Sequence, residues 1–169
     1  YNDRGLALEQ YVLSVYLDDI LQAANRRLRA MTGSRYELYR MPAPKDRRSR
    51  GGMDLEVYDQ YTGKRRSVKS LSGGESFKAA LALALGTSDV ILQYAGGIQV
   101  ETLFVDEGFG ALDEESLDQA LDALISLSGG NRMIGIISHV EELKSRIDRQ
   151  IVVERTKNGS RIRSGGLEG

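Results

Sequence analysis

The chain has 169 residues, with 24 acidic against 23 basic side chains, no cysteine, a single histidine, 19 glycines and 2 prolines. That length suits one compact domain of ordinary size. Without cysteine and with one histidine there is no disulfide framework, no cysteine nucleophile and no Cys/His zinc site, so any metal chemistry rests on oxygen ligands and hard cations such as magnesium. No apolar run approaches the 18 or more residues that span a bilayer, and there is no signal-peptide pattern, so a soluble, cytoplasmic protein is expected. The chain opens on Tyr1 rather than Met, which predicts a cut inside a longer polypeptide.

Charge is unevenly spread. Arg26 to Lys69 holds thirteen Lys/Arg against five acids, whereas Glu101 to Asp122 holds eight acids and no base. Two solvated faces would account for this. So would a basic nucleic-acid surface and an acidic cluster beside a metal or a catalytic water.

In chain order, Leu13, Leu17, Ile20, Leu21, Ala24, Leu28 and Met31 recur at intervals of three and four, predicting an amphipathic helix that Gly33 stops. The alternating segments Arg35 to Arg40 and Asp54 to Asp59 predict two strands joined by a basic loop from Pro42 to Gly52. After the Thr62-Gly63 turn and a basic run, Phe77, Ala80, Leu81, Ala84 and Leu85 mark a long helix. Glu101 to Glu107 and Arg132 to Ser138 read as buried strands, with a helix marked by Leu117, Leu121 and Leu124 between them. A short helix over Val140 to Ile147 follows, then a hairpin of Gln150 to Arg155 and Ser160 to Arg163 across Asn158-Gly159. This order predicts an α/β fold with a mostly parallel sheet flanked by helices.

Three places carry chemistry. In Leu71 to Glu75 (LSGGE), Ser72 and Glu75 form the pattern of a capping box at a helix N-terminus. The box does not require Gly73 and Gly74, which each weaken a helix by about 1 kcal/mol relative to alanine; bare amides and missing side chains at that point suit a phosphate. Asp106 and Glu107 close an apolar strand, where α/β sheets collect ligands. An aspartate holding magnesium beside phosphates and a glutamate activating water would use both carboxylates, although apolar strands also simply stop at charges. His139 follows the next buried strand, within reach of these acids if the strands are neighbours.

The order of these features, SGG, a strand ending DE, the turn Ala111-Leu112-Asp113 and a strand ending in His, resembles the ATP-binding cassette ATPases, whose signature motif, Walker B strand, D-loop and switch histidine follow in that order. Within that superfamily, SLSGGESF (Ser70 to Phe77), LFVDEGFGALDEESLD (Leu103 to Asp118) and IGIISHVEELKSRI (Ile134 to Ile147) are similar to the SbcC family, the ATPase subunit of the SbcCD DNA-repair nuclease, more than to transporters or SMC condensins. The resemblance implies the C-terminal lobe of an ABC-type head over residues 34–169, with residues 1–33 forming the helix at the base of a coiled-coil arm. Its implied cofactors are ATP and Mg2+. Ser72, Gly73, Gly74 and Glu75 would face the γ-phosphate of a nucleotide held by a second head, with Asp106 assisting magnesium and Glu107 as general base. Asp113 would lie at the dimer interface, and His139 would sense the γ-phosphate.

The implied partners are an N-terminal Walker A lobe of the same protein, a second head, an SbcD-like nuclease and double-stranded DNA, with DNA double-strand break and hairpin processing as the task of a nucleoid-associated complex. The phosphate cradle G-x-x-x-x-G-K-[ST] is absent, since Gly63-Lys64 is followed by Arg65 and Tyr58 stands at the first glycine position. The segment alone is therefore expected not to hydrolyse ATP. Arg47, Arg48, Arg50, Lys64, Arg65, Arg66 and Lys69 are candidates for DNA phosphates, against a solvated loop. Two other readings stand beside this one: a non-catalytic dimerisation or scaffold module, and an SMC- or RecF-like cassette without a nuclease partner.

Overall fold

The computed structural model describes residues 8–41, 54–94, 96, 102–128, 133–157 and 159–166. The first helix, α1 (Leu8–Met31), ends where the sequence places its stop. Gly33 and Ser34 both take positive φ (55° and 64°), and the Ser34 N–H returns to the Arg29 carbonyl at 2.7 Å, which closes the helix end. The buried face runs through Leu21, Ala24, Leu28 and Met31, with Leu17 partly buried against the core and Ser14 buried one turn before it, while Leu13, expected in the same stripe, is exposed.

Strands β1 (Tyr36–Arg40), β2 (Leu55–Asp59) and β3 (Lys64–Ser67) form an antiparallel sheet in that order. No strand is expected at Lys64 to Ser67 from the sequence, because an edge strand of charged residues shows no apolar alternation. The outer edge of β1 is closed by Asn25, whose side-chain amide donates to the Leu38 carbonyl at 2.9 Å and accepts from the Leu38 N–H at 2.8 Å. One side chain thereby serves both backbone groups, joining α1 to the sheet.

Helix α2 (Gly73–Tyr94) lies along α1. Its buried side is Lys78, Ala79, Leu81, Ala82, Leu85, Gly86 and Val90, whereas Ala80 and Ala84 are exposed. The crossing is tight at Gly86, where a Cβ would stand 2.7 Å from the Ala24 nitrogen and 2.8 Å from the Ile20 carbonyl oxygen. Two backbones approach this closely only because the position is glycine.

Strands β4 (Thr102–Asp106) and β5 (Met133–Ile137) pair in parallel, with Asp106 opposite Ile137, and α3 (Glu114–Ser128) connects them. Leu103, Val105, Ile134 and Ile136 turn toward the core built by α1, α2 and α3. Helix α4 (Glu141–Lys144) and the antiparallel hairpin β6 (Arg149–Thr156) and β7 (Gly159–Gly166) complete the order; Asn158 lies outside the described residues. The α/β class stands, with the parallel pairing confined, among the described residues, to β4–β5 and the other five strands antiparallel.

Gly86→Val places side-chain atoms against the α1 backbone and is expected to destabilise the fold by about 1–3 kcal/mol or more. Ala84→Val, two residues away on the exposed side, serves as the control. Equal urea midpoints for the two variants would contradict the tight crossing.

Candidate nucleotide and dimer site

The Ser72–Glu75 capping box forms. The Ser72 N–H donates to Glu75 Oε2 at 2.9 Å, and the Glu75 N–H donates to Ser72 Oγ at 3.3 Å. The first intrahelical bond is Ser76 N–H to the Ser72 carbonyl at 2.8 Å, so the amides of Gly73 and Gly74 precede the first available helical acceptor.

Gly74 also has a packing reason that local sequence does not reveal. A Cβ on Gly73 would meet the Ala111 Cβ at 3.4 Å, and one on Gly74 the Ala111 carbonyl oxygen at 3.1 Å. Glycine lets the first turn of α2 rest on the turn Phe109–Ala111 that follows β4.

That turn begins with two residues at positive φ, Glu107 (58°) and Gly108 (94°). Glu107 adopts this conformation without being glycine, a form of strain met where the surrounding structure imposes it. Its N–H donates to the Ile137 carbonyl at 2.9 Å, carrying the parallel ladder one residue beyond β4. Gly108 has no room for a side chain, since the Phe77 ring lies 2.2 Å from where its Cβ would be. Phe77 meets the buried Phe109 edge-on at 4.9 Å.

Parallel pairing brings the carboxyl ends of β4 and β5 together, and His139 with them. His139 Nδ1 lies 3.0 Å from Glu107 Oε2 and 3.2 Å from Oε1, with the imidazole largely in solvent. Asp106 is exposed beside them. Among the described residues no group of three or more His, Asp or Glu gathers as a metal site. The two carboxylates are hard oxygen donors that do fit magnesium, an ion that completes its shell with water and phosphate oxygens.

Asp113 lies elsewhere. Its Oδ1 accepts the Ser116 N–H at 2.8 Å and its carbonyl accepts the Leu117 N–H at 2.9 Å, so it caps α3. The hydrogen bonds from Ser116 hold its carboxyl below the usual range. With Ser72, Gly73, Gly74 and Glu75 it borders one cleft of about 550 Å³, which Asp106, Glu107 and His139 do not line. Asp106, Glu107 and His139 thus stand outside the lining of this cleft.

Lys78 enters this cleft unannounced by the sequence. It is buried, and its ammonium donates to Gln119 Oε1 at 3.0 Å. Burial lowers its pKa against the opposing attraction of Asp113 and Glu115. A lysine amid Phe77 and Ala79 gives no sequence signal, since the helical period alone would turn it to either side.

Four of the basic candidates lie among the described residues. Arg66 points inward, donating from Nη1 to the Ser70 carbonyl and hydroxyl, each at 2.7 Å. Arg65 pairs with Glu56 at 2.7 Å and lies over the Tyr39 ring. Lys64 and Lys69 are exposed, and Arg47, Arg48 and Arg50 lie outside the described residues.

Two carboxylates are tied into this region. Asp59 is buried, which pushes its carboxyl up, but hydrogen bonds from Arg35 and the Tyr61 amide outweigh that and hold it below its ordinary 3.8. Glu75 is likewise raised by burial and lowered further by Tyr36 and Ser72, below its ordinary 4.5. Depressed folded values mean stability that is present above the unfolded pKa and lost as pH falls through the folded one. Urea midpoints are therefore expected to fall as pH drops below about 4, and less steeply in the Asp59→Asn/Glu75→Gln variant; parallel profiles would remove these two groups as the cause.

The family model described as SbcC/RAD50-like, Walker B motif matches residues 45–126. The SbcC subunit of nuclease SbcCD from Vibrio cholerae serotype O1 is 53% identical over 162 residues, covering 94% of this chain and 16% of the relative. The protein of the same name from Staphylococcus epidermidis is 50% identical over 157 residues, covering 93% and 15%. The chain thus spans about one sixth of the length of these relatives. A chain from a study of "ATP-driven dimerization and DNA stimulated activation of SMC ATPases" superposes with a TM-score of 0.71 at 17% identity, covering 94% of this chain and 91% of the other. The Smc head domain from Pyrococcus furiosus gives 0.66 at 18%, covering 94% and 37%. The fold is that of an SMC-type ATPase head, and the strand-end acids and glycine-led helix carried on it sit in a chain that belongs to the SbcC family.

Proposed function

We propose that this segment is the C-terminal lobe of an SbcC-type head, residues 34–169, with residues 1–33 as the helix at the base of the coiled-coil arm. In this reading the whole protein binds and hydrolyses ATP between two heads to control DNA binding and a partner nuclease. The observation that carries it is that Glu107 and His139 meet at the ends of β4 and β5, while Ser72–Glu75 and Asp113 border a cleft that they do not line. In this reading two heads facing each other bring one head's strand-end acids to the other head's glycine-led helix.

An uncovered sheet face supports a missing lobe. Phe104, Met133 and Ile137, on one side of β4–β5, are 65%, 62% and 52% exposed. Parallel sheets are ordinarily covered on both faces. The Walker A lobe of the same protein is the occupant in this reading, bringing the phosphate cradle that this segment lacks.

Glu107 then accepts a proton from the attacking water, and the ring of His139 holds the carboxylate in place. Ser72 and the Gly73 and Gly74 amides bind γ-phosphate oxygens across the interface and favour the closed dimer. Magnesium, held by Asp106, would offset the negative charge of the phosphates. The site is complete only in the dimer, so hydrolysis weakens the contact that assembled it. Among the described residues no helix is long and apolar enough to cross a membrane, and a cytoplasmic, nucleoid-associated complex fits this reading.

In the full-length protein, Glu107→Gln is expected to lower ATP turnover by roughly 10²- to 10⁴-fold while lengthening the lifetime of the ATP-bound dimer, read by single-turnover hydrolysis and light scattering. Dissociation as fast as in the parent would count against the assignment. Copurification of an SbcD-like phosphoesterase separates this reading from an SMC- or RecF-like cassette without a nuclease.

The basic segment is proposed as the DNA contact. Neutralising Arg47, Arg48 and Arg50 together should reduce the slope of log K against log salt by about 0.9 for each DNA phosphate no longer neutralised. An unchanged slope would leave these residues as a solvated loop.

A further inference from the structure

The carboxylate of Glu75 is engaged on both oxygens. Oε2 accepts the Ser72 N–H at 2.9 Å, and Oε1 accepts the Tyr36 hydroxyl at 2.6 Å. Two guanidinium groups stand just outside hydrogen-bond range, Arg35 at 3.8 Å and Arg66 at 3.9 Å. Either could draw the carboxylate away from the Ser72 amide through an ion pair, since a glutamate has three side-chain torsions and its partners here are long. The short bond from Tyr36 fixes the carboxylate in the orientation that reaches Ser72.

Tyr36 is itself immobilised. It is 2% exposed at the start of β1, its ring is flanked by Arg35 at 4.7 Å and Arg66 at 5.6 Å, and its hydroxyl also receives Arg66 Nη2 at 3.4 Å. Burial and the bond to Glu75 push its pKa up to about 12, so it remains a donor across the working pH range. At the other end of the chain of bonds, Ser72 Oγ accepts from the Glu75 N–H. The serine hydroxyl also bonds the Glu75 carboxylate, so the side chain that holds the Ser72 amide holds its hydroxyl as well.

We propose that Tyr36 is a positioning residue for the signature serine: acting through the Glu75 carboxylate, it sets the direction in which Ser72 and the adjacent glycine amides present themselves to a nucleotide phosphate. This rests on the reading of Ser72 as a nucleotide contact. Tyr36 lines the same cleft, and the proposed effect passes through one carboxylate, which the Glu75 background tests.

The test uses the full-length ATPase chain that contains this segment, in Tyr36→Phe, Glu75→Gln, the double variant and Ser72→Ala, with the ATP dependence of hydrolysis and the thermal unfolding of each. Tyr36→Phe keeps the buried ring and removes only the hydroxyl. It is expected to raise KM for ATP on the order of tenfold with kcat changed less than about twofold, and to have a smaller effect in the Glu75→Gln background, where the amide can donate to a neighbour but cannot form the charge-assisted bond. A merely structural tyrosine would lower the unfolding temperature without this split between KM and kcat. If Ser72→Ala raises KM and Tyr36→Phe does not, or if Tyr36→Phe acts equally in both backgrounds, the proposal is overturned while the site reading stands. If Ser72→Ala also leaves KM unchanged, the reading of Ser72 fails and the proposal with it.

Discussion

The close contact between the first turn of α2 and the turn after β4 is the constraint on which the remaining geometry depends. Gly74 sits against the Ala111 carbonyl, and Phe77, one turn further along α2, fills the space over Gly108. A Cβ at Gly74 would press on the Ala111 carbonyl at 3.1 Å and one at Gly108 would overlap the Phe77 ring at 2.2 Å, and overpacking of this kind costs about 1–3 kcal/mol. With the two segments in contact here, the direction of α2, the bend that projects Glu107 and the cap that starts α3 are set together. The positive φ of Glu107 belongs to the same arrangement, held by the ladder bond to Ile137 on one side and by the phenylalanine pair on the other.

A second set of interactions joins this unit to the small antiparallel sheet. Tyr36 from β1, Arg35 just before it and Arg66 from β3 all meet near Glu75 and the buried Asp59. Arginine suits such a place because its fork serves several acceptors at once while its flat face rests on an aromatic ring. Among the described residues, Arg35 and Arg66, which read in the sequence as part of a basic run, are internal ties. Asn25 does similar work without charge on the outer edge of β1.

Local signals were legible where the physics is local. The capping box of Ser72 and Glu75, the Gly33 stop of α1 and the alternation of β1 and β2 each depend on residues within a few positions of one another, and each is present in the fold. The placement of Asp106 and His139 near two adjacent strand ends needed only that β4 and β5 be parallel neighbours. Strand β3 was not legible, since Lys64 to Ser67 gains its conformation from pairing with β2. Nor was the exposure of Leu13, because the period of a helix shows that a stripe exists but not how far its partner extends along it.

What the sequence by itself determined is the order of the chemical groups: a glycine-led helix start, two acids closing an apolar strand, an aspartate turn and a histidine after the next strand. Spacing of a few residues sets each of these, because capping and strand termination are short-range. Only the tertiary structure decided which of them meet. Glu107 and His139 are 32 residues apart and share one hydrogen bond, and Tyr36 and Glu75 are 39 apart and share another. Gly73 and Gly74, legible as a place where a phosphate could approach, are also where α2 rests on the turn after β4. Contacts between distant segments are chosen by packing, which acts on shape in three dimensions and leaves no fixed spacing in the chain.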